Sequence, residues 1–389
     1  MLLLIVGLLL FIGLVVVHEW GHFIMARRNG VEIEEFGIGF PPRLWKKRIR
    51  SPKGDYDFTI NLLPLGGFVK LKGEHDGDTE PGTFGAASLA AKSKIMVAGV
   101  VMNLITAFVL LTLLAAVGIP KLIPDQYTVA SDTKVTRNNI IISGTEKGSP
   151  AEKAGLQQAD HLVSIGAPGK EQKLNESKDL SAYTRSHPGE KVAITYTRKG
   201  ETMKGTATIR PAAEVEASLK TDDPKGFLGV YPSDYTIQRS TWSSPIVAAG
   251  LIKQFTIMTF QGLGKAVQGL GGLIAGAVTG NSTARSNGQK QASEQVSGPV
   301  GIFVILKDGT TLGWQFVLLI IAIISLTLAI MNILPIPALD GGRLWLTLLT
   351  RGIGRPLSKE KEEAINASGF LFLLLLIVLI TVVDVKRFF

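Results

Sequence analysis

The chain has 389 residues, of which 46% are hydrophobic and 19% are charged, and its mean hydropathy is positive at +0.27. This composition indicates a membrane protein with room for more than one folding unit. The sequence has no cysteine, which excludes disulfides, a thiolate metal site and a cysteine nucleophile, so any metal must be held by His, Asp or Glu. The net charge of +9 does not predict a nucleic-acid partner, because Lys and Arg crowd beside the hydrophobic segments.

Four hydrophobic segments are long enough to cross a bilayer as helices, which takes about 20 residues each. The first is interpreted as a retained span rather than a signal peptide, because it leads into His18, Glu19 and His22 instead of a small-residue cleavage site. Basic residues follow the first and third spans, so the positive-inside rule predicts that both following segments are cytoplasmic. Both termini and the long middle segment are then predicted to lie outside. The predicted spans are residues 1–27, 93–119, 312–342 and 366–385, and the predicted cytoplasmic segments are residues 28–92 and 343–365.

The first cytoplasmic segment contains a candidate β-hairpin. Residues 56–61 alternate apolar and polar side chains, and the alternation resumes at 68–72 after Pro-Leu-Gly-Gly at 64–67. Two strands joined by a turn fit this period of two. The hairpin is either an ordinary cytoplasmic structure or an exposed edge to which an unwound substrate adds as a strand. On the second interpretation, the substrate-binding candidates are Asn61, Gly66, Gly67 and Phe68.

Residues 120–225 have the composition of a soluble, strand-rich domain. Residues 148–156 predict a turn and a short helix ended by Gly155, and short strand candidates follow at 191–197 and 206–209. Residues 149–156 read Ser-Pro-Ala-Glu-Lys-Ala-Gly-Leu, which resembles the typical segment of PDZ domains in bacterial membrane and periplasmic proteases. The Gly-Asp pair usual after this segment is Ala159-Asp160 here, a departure that affects a turn.

Residues 226–311 are predicted to form an extracytoplasmic juxtamembrane region of helices and loops. Within it, residues 246–280 are apolar and glycine-rich but carry Lys and Gln, which favours an interfacial or packed helix pair over a fifth span. Residues 281–295 are polar and of low complexity, which predicts a mobile loop.

The first span carries a candidate metal site. Residues four apart share one face of a helix, so His18 and His22 can offer imidazole nitrogens to one ion with Glu19 beside them. Zinc held by three protein ligands keeps a position for water, and Glu19 is the natural general base. The alternative is that these residues mark a helix end at the cytoplasmic surface. A charge at the centre of a span costs about 2.5–3.5 kcal/mol, so three ionisable residues in five favour a compensating metal site.

Asp340 is the candidate third ligand. It follows the third span in the segment Asn-Ile-Leu-Pro-Ile-Pro-Ala-Leu-Asp-Gly-Gly at 332–342, where two prolines and two glycines break the helix. Taken alone, Asp340 is more typical of a helix end or a turn. Asn103 in the second span predicts an interhelical hydrogen bond, with contact to the site as the alternative.

These motifs together resemble the site-2 protease family of intramembrane zinc metalloproteases over nearly the whole chain. The resemblance rests on His-Glu-x-x-His, on Asn-x-x-Pro-x-Pro-x-x-Asp-Gly, on the PDZ-like insert and on Ser-Gly-Pro-Val-Gly-Ile at 297–302. The order is similar to the bacterial regulator-of-sigma-E protease branch, with one PDZ-like domain in place of two. It implies Zn²⁺ held by His18, His22 and Asp340, with Glu19 as base. It also implies that Asn332 bonds the substrate backbone or the developing oxyanion, although Asn332 can equally satisfy a carbonyl freed by the nearby prolines.

The sequence thus predicts a polytopic α-helical membrane protein of about four transmembrane helices, with a small membrane-associated β-hairpin and an inserted β-rich PDZ-like domain. The resemblance implies a protease of the bacterial cytoplasmic (inner) membrane. Its implied partners are the lipid bilayer and single-span membrane protein substrates, such as anti-sigma factors or signal-peptide remnants. One alternative is a transporter or metal permease, which four spans without repeat symmetry disfavour. A catalytically silent PDZ scaffold is the other.

Overall fold

The computed structural model describes residues 2–75, 77–198, 200–219, 221, 224–295, 298–353 and 357–388. The chain divides into two compact units, one of Met1–Leu114 with Ser244–Phe389 and one of Ala115–Ser243. In chain order the elements are α1 Leu2–Arg28, β1 Ile33–Ile49, β2 Tyr56–Leu71, α2 Leu89–Val117, β3 Ile119–Pro120, β4 Lys134–Thr145, α3 Pro150–Lys153, β5 His161–Ala167, β6 Lys170–Lys173, α4 Ser177–Ser186, β7 Lys191–Arg198, β8 Glu201–Thr208, α5 Ala212–Ser218, β9 Val230–Arg239, α6 Ser244–Thr279, α7 Ser282–Gln295, α8 Pro299–Gly309, α9 Trp314–Ile333, α10 Asp340–Gly352 and α11 Lys359–Phe388.

Five helices in the described residues are long and apolar enough to cross a membrane. They are α1, α2, α6, α9 and α11, and each of the four predicted spans overlaps one of them. Helix α9 ends at Ile333 because Leu334 precedes a proline and takes an extended backbone. With the β-rich second unit, these helices make the chain a polytopic membrane protein with an inserted β domain, as the sequence predicts.

Helices α1 and α9 run in the same direction, and α2 runs against them. Near its start, α1 packs on the first half of α9, where Gly7 faces Val317 and the leucines around it join Val317 and Ile321 in one cluster. Near its end, α1 packs on the start of α2, where Ala26 clusters with Ile95. The C-terminal end of α1 therefore lies at the same level as the start of α2 and the end of α9.

The predicted strands 56–61 and 68–72 do not pair with each other, although both lie essentially within β2, Tyr56–Leu71. Strand β1 supplies the partner for the whole of it: Ile49 and Arg43 lie opposite Tyr56 and Asn61, and residues 36–38 lie opposite 67–69. Phe36 is opposite both Phe58 and Val69, so this part of β1 has β2 on both sides. Residues 35–38 run parallel to 57–60 and antiparallel to 67–70, so β2 reverses direction between Ile60 and Gly67, where the turn is predicted.

The region after the second unit is also more helical than the sequence predicts. Residues 244–279 form one continuous helix, α6, where a helix pair was expected, and residues 282–295 form α7 where a mobile loop was expected. The reason is close packing, since Gly288 of α7 lies against the backbone of Gly269 and Leu273 of α6. A polar composition alone did not reveal this contact. Ser297 of the Ser-Gly-Pro-Val-Gly-Ile motif lies outside the described residues.

The second unit is built on a seven-stranded sheet with the order β3-β9-β4-β5-β7-β8, and β6 pairs with β5. Its core consists of buried apolar residues that alternate along these strands, among them Ile140, Ile142 and Ile194. The unit extends to Ser243 instead of ending at residue 225, because β9 pairs with β4 over most of its length. The predicted short helix is α3, which Ser149 caps and which ends before Gly155, and Ala159 has a φ of 68° where glycine is usual.

Candidate metal centre

The helical spacing of α1 brings His18 and His22 together. Their Nε2 atoms lie 3.2 Å apart, and the two residues are only 7% and 9% exposed. Successive turns of an α-helix place residues i and i+4 one above the other, so this approach follows directly from the spacing in the sequence.

Asp340 is the first residue of α10 and reaches both imidazoles. Its Oδ2 lies 3.0 Å from His18 Nε2 and 3.1 Å from His22 Nε2. Gly341 and Gly342 make this position possible, because a Cβ at either residue would overlap the backbone between Ile333 and Pro337. The segment between α9 and α10 thus folds back on itself and directs the Asp340 carboxylate toward α1.

The three side chains have the donor set and the spacing of a zinc site. Zinc–ligand bonds of about 2.0–2.1 Å in a tetrahedron place ligand atoms about 3.3 Å apart, close to the distances found here. His22 Nδ1 lies 2.8 Å from the carbonyl oxygen of Ile95 and donates to it, so its Nε2 carries the lone pair that a metal requires. His18, His22 and Asp340 therefore fit a zinc ion through one nitrogen or oxygen each.

Glu19 lies beside these residues. It lines a cavity of about 110 Å³ together with His22, Asp340 and Arg343. The backbone N–H of Val69, in β2, points toward the Glu19 carboxylate. The Glu19 carboxylate, two of the three potential ligands and residues of β2 thus face one small space.

One face of α2 supports both histidines, and the sequence analysis largely missed it. Ile95, Gly99 and Asn103 are spaced four apart, so they share that face. Ile95 accepts from His22, and Asn103 Nδ2 lies 3.1 Å from His18 Nδ1, a contact with the site in place of a purely structural interhelical bond. Gly99 leaves room for the rings, because a Cβ there would lie 2.7 Å from His18 Nε2 and closer still to His22 Nε2. In the sequence, the only sign of this face was the spacing of four residues, which is the same as the spacing of the two histidines.

Of the substrate-binding candidates in β2, Gly67 lies near Glu19, whereas the Asn61 side chain bonds within the sheet. The Asn61 amide is buried and lies 3.2 Å from the Gly39 carbonyl oxygen, to which it donates, so its side chain is committed to the sheet. A Cβ on Gly67 would lie 3.5 Å from Glu19 Cγ, and Gly66 packs near Val15 of α1. Phe68 stacks on Phe40 with the ring centroids 6.4 Å apart.

Asn332 occupies the last turn of α9. It is partly exposed, and its side chain makes no hydrogen bond to any residue that the structure describes. The other histidines of the chain, His75, His161 and His187, lie outside the metal-ligand cluster.

The family model of peptidase family M50 matches residues 6–376. The chain belongs to peptidase family M50. Among its relatives in this family, the zinc metalloprotease RasP of Shouchella clausii is 28% identical, with 98% of each chain covered. The zinc metalloproteases RasP of Geobacillus kaustophilus and Oceanobacillus iheyensis are 26% and 25% identical, each over 98% of this chain and 97% and 98% of the relative. The match to this family spans both His18 and Asp340, which lie more than 300 residues apart in the chain.

Proposed function

We propose that this chain is a zinc-dependent endopeptidase that hydrolyses peptide bonds within the membrane-spanning segments of single-span membrane proteins. The observation that carries the proposal is the convergence of His18, His22 and Asp340 beside Glu19, at the ends of apolar helices. Membership of a peptidase family and the zinc metalloprotease names of the relatives support it. Zinc is accordingly the cofactor.

Each site residue has one task in this proposal. His18 and His22 hold the metal through Nε2, and Asp340 holds it through Oδ2. When bound, zinc supplies the Lewis acidity that activates water for attack on a peptide carbonyl. Glu19 accepts the proton of the attacking water and delivers it to the leaving amine, and the Val69 N–H keeps its carboxylate oriented toward the cavity.

Asn332 is proposed to bond the substrate backbone or the developing oxyanion. The alternative, that it satisfies a carbonyl freed by Pro335 or Pro337, lacks support because its side chain bonds no such carbonyl in the described residues. A partly exposed amide at the end of α9, eight residues before Asp340, remains available to a substrate.

Substrate unwinding is proposed to use the edge of β2. A helix hides its peptide groups in internal hydrogen bonds, so a substrate needs replacement partners before it is cut. The N–H of Leu71 donates to Glu74, away from β1, and the N–H of Val69 points toward Glu19 on the same side. Because N–H directions alternate along a strand, the N–H of Gly67 points to the same side and is the next donor along the edge facing Glu19.

A pair of substitutions at Gly67 tests this edge. Gly67→Pro removes the outward N–H without removing a hydrogen bond to β1, and should slow cleavage while zinc content stays unchanged. Gly67→Ala keeps the N–H and serves as the matched control. Equal cleavage rates for the two variants would rule out strand addition at this position.

The topology is proposed from helix directions together with charge. Since α1 and α9 are parallel, the end of α2 and the start of α9 lie on the same side of the membrane as Leu2. If α6 crossed the membrane once between α2 and α9, then α9 would run antiparallel to α1. We therefore do not propose α6 as a single crossing, despite its length. The basic residues after α1 place the metal centre near the cytoplasmic face, with both termini and the PDZ-like unit outside.

The PDZ-like unit is proposed to select substrates and to take no part in the chemistry. It is expected to exclude substrates with bulky outer domains, so that cleavage within the membrane follows an earlier cleavage that removes the outer domain. Deletion of residues 143–213 should then permit cleavage of untrimmed substrates. Loss of all cleavage on deletion would favour a recruiting or folding role.

Metal removal tests the proposal against a permease or a silent scaffold. Chelation should abolish cleavage of a model membrane-spanning substrate, and added Zn²⁺ should restore it. His22→Ala and Asp340→Ala should lose bound zinc, whereas His161→Ala, a histidine outside the cluster, should retain it. Unchanged cleavage after complete zinc removal would refute the proposed function.

A further inference from the structure

Asn103, on α2, contacts the imidazole of His18 on the ring edge opposite the proposed metal position. Its Nδ2 lies 3.1 Å from His18 Nδ1, and the residue is completely buried. The other end of the amide, Oδ1, is buried as well and has no hydrogen-bond partner in the part of the chain that the structure describes. Buried polar atoms are nearly always paired, so an unpartnered oxygen beside a ligand side chain calls for an explanation.

The protonation of His18 supplies that explanation, and this step rests on the proposed function because it takes His18 Nε2 as a zinc ligand. A neutral imidazole that gives the lone pair of Nε2 to a metal carries its proton on Nδ1. Nδ1 is then a hydrogen-bond donor, and it cannot accept a bond from the amide nitrogen of Asn103. Two donors would face each other across 3.1 Å.

Exchanging the two ends of the amide removes this conflict. The nitrogen and the oxygen of an Asn side chain are distinguished by their hydrogen-bond partners, not by their shape. The Oδ1 at the end remote from His18 has no partner among the described residues, so no hydrogen bond there opposes the exchange and the contact with His18 decides the orientation.

We propose that Asn103 is a positioning residue for the metal centre: its Oδ1 accepts a hydrogen bond from His18 Nδ1–H and thereby fixes the tautomer and the orientation of the ring. His22 has the equivalent partner in the main-chain oxygen of Ile95. Asn103 is itself held in place, since Ser325 Oγ of α9 lies 2.8 Å from its main-chain oxygen and donates to it. One face of α2 thus orients both imidazoles, through a backbone carbonyl for one and a side-chain amide for the other.

Zinc affinity, measured in competition with a chromophoric chelator, tests the proposal on the purified full-length chain. Asn103→Leu should weaken zinc binding by about 10–100-fold, the usual effect of losing a partner of a metal-bound histidine. Asn103→Asp offers only acceptor oxygens and should bind zinc at least as tightly as the wild type. Thr106→Val is the matched control, because among the described residues the Thr106 hydroxyl bonds only Met102 of its own helix. The Co²⁺ absorption spectrum should change for Asn103→Leu and not for Thr106→Val.

The outcomes separate this inference from the proposed function. A wild-type chain that binds no zinc would refute the metal centre itself. A wild type that binds zinc, with Asn103→Leu binding it equally well and with an unchanged Co²⁺ spectrum, would overturn only the role of Asn103. If Asn103→Leu does not unfold cooperatively, it is not properly folded, and the zinc affinity of Asn103→Asp alone decides the role of Asn103. An Asp variant that binds zinc about ten-fold more weakly than wild type would show that the amide nitrogen, not the oxygen, is the group that His18 needs.

Discussion

Replacing Gly99 with alanine should disrupt the metal centre without altering any ligand. Gly99 faces the two histidines from α2, and the added methyl group would lie 2.6 Å from His18 Cε1 and 2.7 Å from His18 Nε2. Ordinary carbon contacts are about 3.5–4.0 Å, so the rings would have to move by close to 1 Å.

Neither ring can make this movement freely. The His22 ring is held by its hydrogen bond to Ile95, and the His18 ring lies against Asn103. A metal site tolerates deviations of only about 0.2 Å from its preferred bond lengths, so a shift several times larger displaces a ligand. The loss of zinc affinity should then exceed about 100-fold, the upper end for losing a supporting partner.

Zinc titration of the purified Gly99→Ala variant measures this loss, with circular dichroism to verify that the helices persist. Gly13→Ala is the matched control, because a Cβ on Gly13 of α1 would meet nothing within 4 Å. Gly13→Ala should bind zinc like the wild type. If Gly99→Ala also binds zinc with wild-type affinity, the histidines are not held against α2 as described.

Three further predictions concern stability. Ala159→Gly should raise the free energy of unfolding by up to about 1 kcal/mol in a denaturant titration, because Ala159 has a φ of 68°. Hydrogen bonds from Arg210 hold the pKa of Glu146 below its usual 4.5, so this pair stabilises the fold above that pH and the contribution is lost as the pH falls through the lowered pKa. The difference in stability between wild type and Glu146→Gln should therefore be present at neutral pH and vanish on acidification. Asp384→Leu should cost about 1–3 kcal/mol in thermal unfolding, because the buried Asp384 Oδ2 accepts from the N–H groups of Gly298 and Gly301.

The metal-ligand set was predictable because its signals are local. His18 and His22 are one helical turn apart, and the prolines and glycines around Asp340 mark a break that lets the chain fold back. The supporting residues on α2 were harder to find, since Gly99 and Asn103 stand in an apolar helix where small and polar residues have many roles. Only the antiparallel packing of α1 and α2 pairs them with the histidines.

The errors in the fold have a common physical cause. The predicted strands at 56–61 and 68–72 do not form a hairpin with each other, because residues 35–38 of β1 lie between them. Residues 282–295 lack apolar periodicity, yet α7 forms because Gly288 permits close contact with α6. In both cases a partner distant in sequence outweighs the local preference of the chain.

Glu19 is the proposed base of a zinc-dependent cleavage within the membrane. The most direct test is to measure zinc content and cleavage of a model membrane-spanning substrate for wild type and Glu19→Gln in parallel. Glu19→Gln should retain zinc and lose cleavage, because the amide keeps the shape of the side chain but cannot accept the proton of water. Cleavage by Glu19→Gln at the wild-type rate, with zinc bound, would show that Glu19 is not the base.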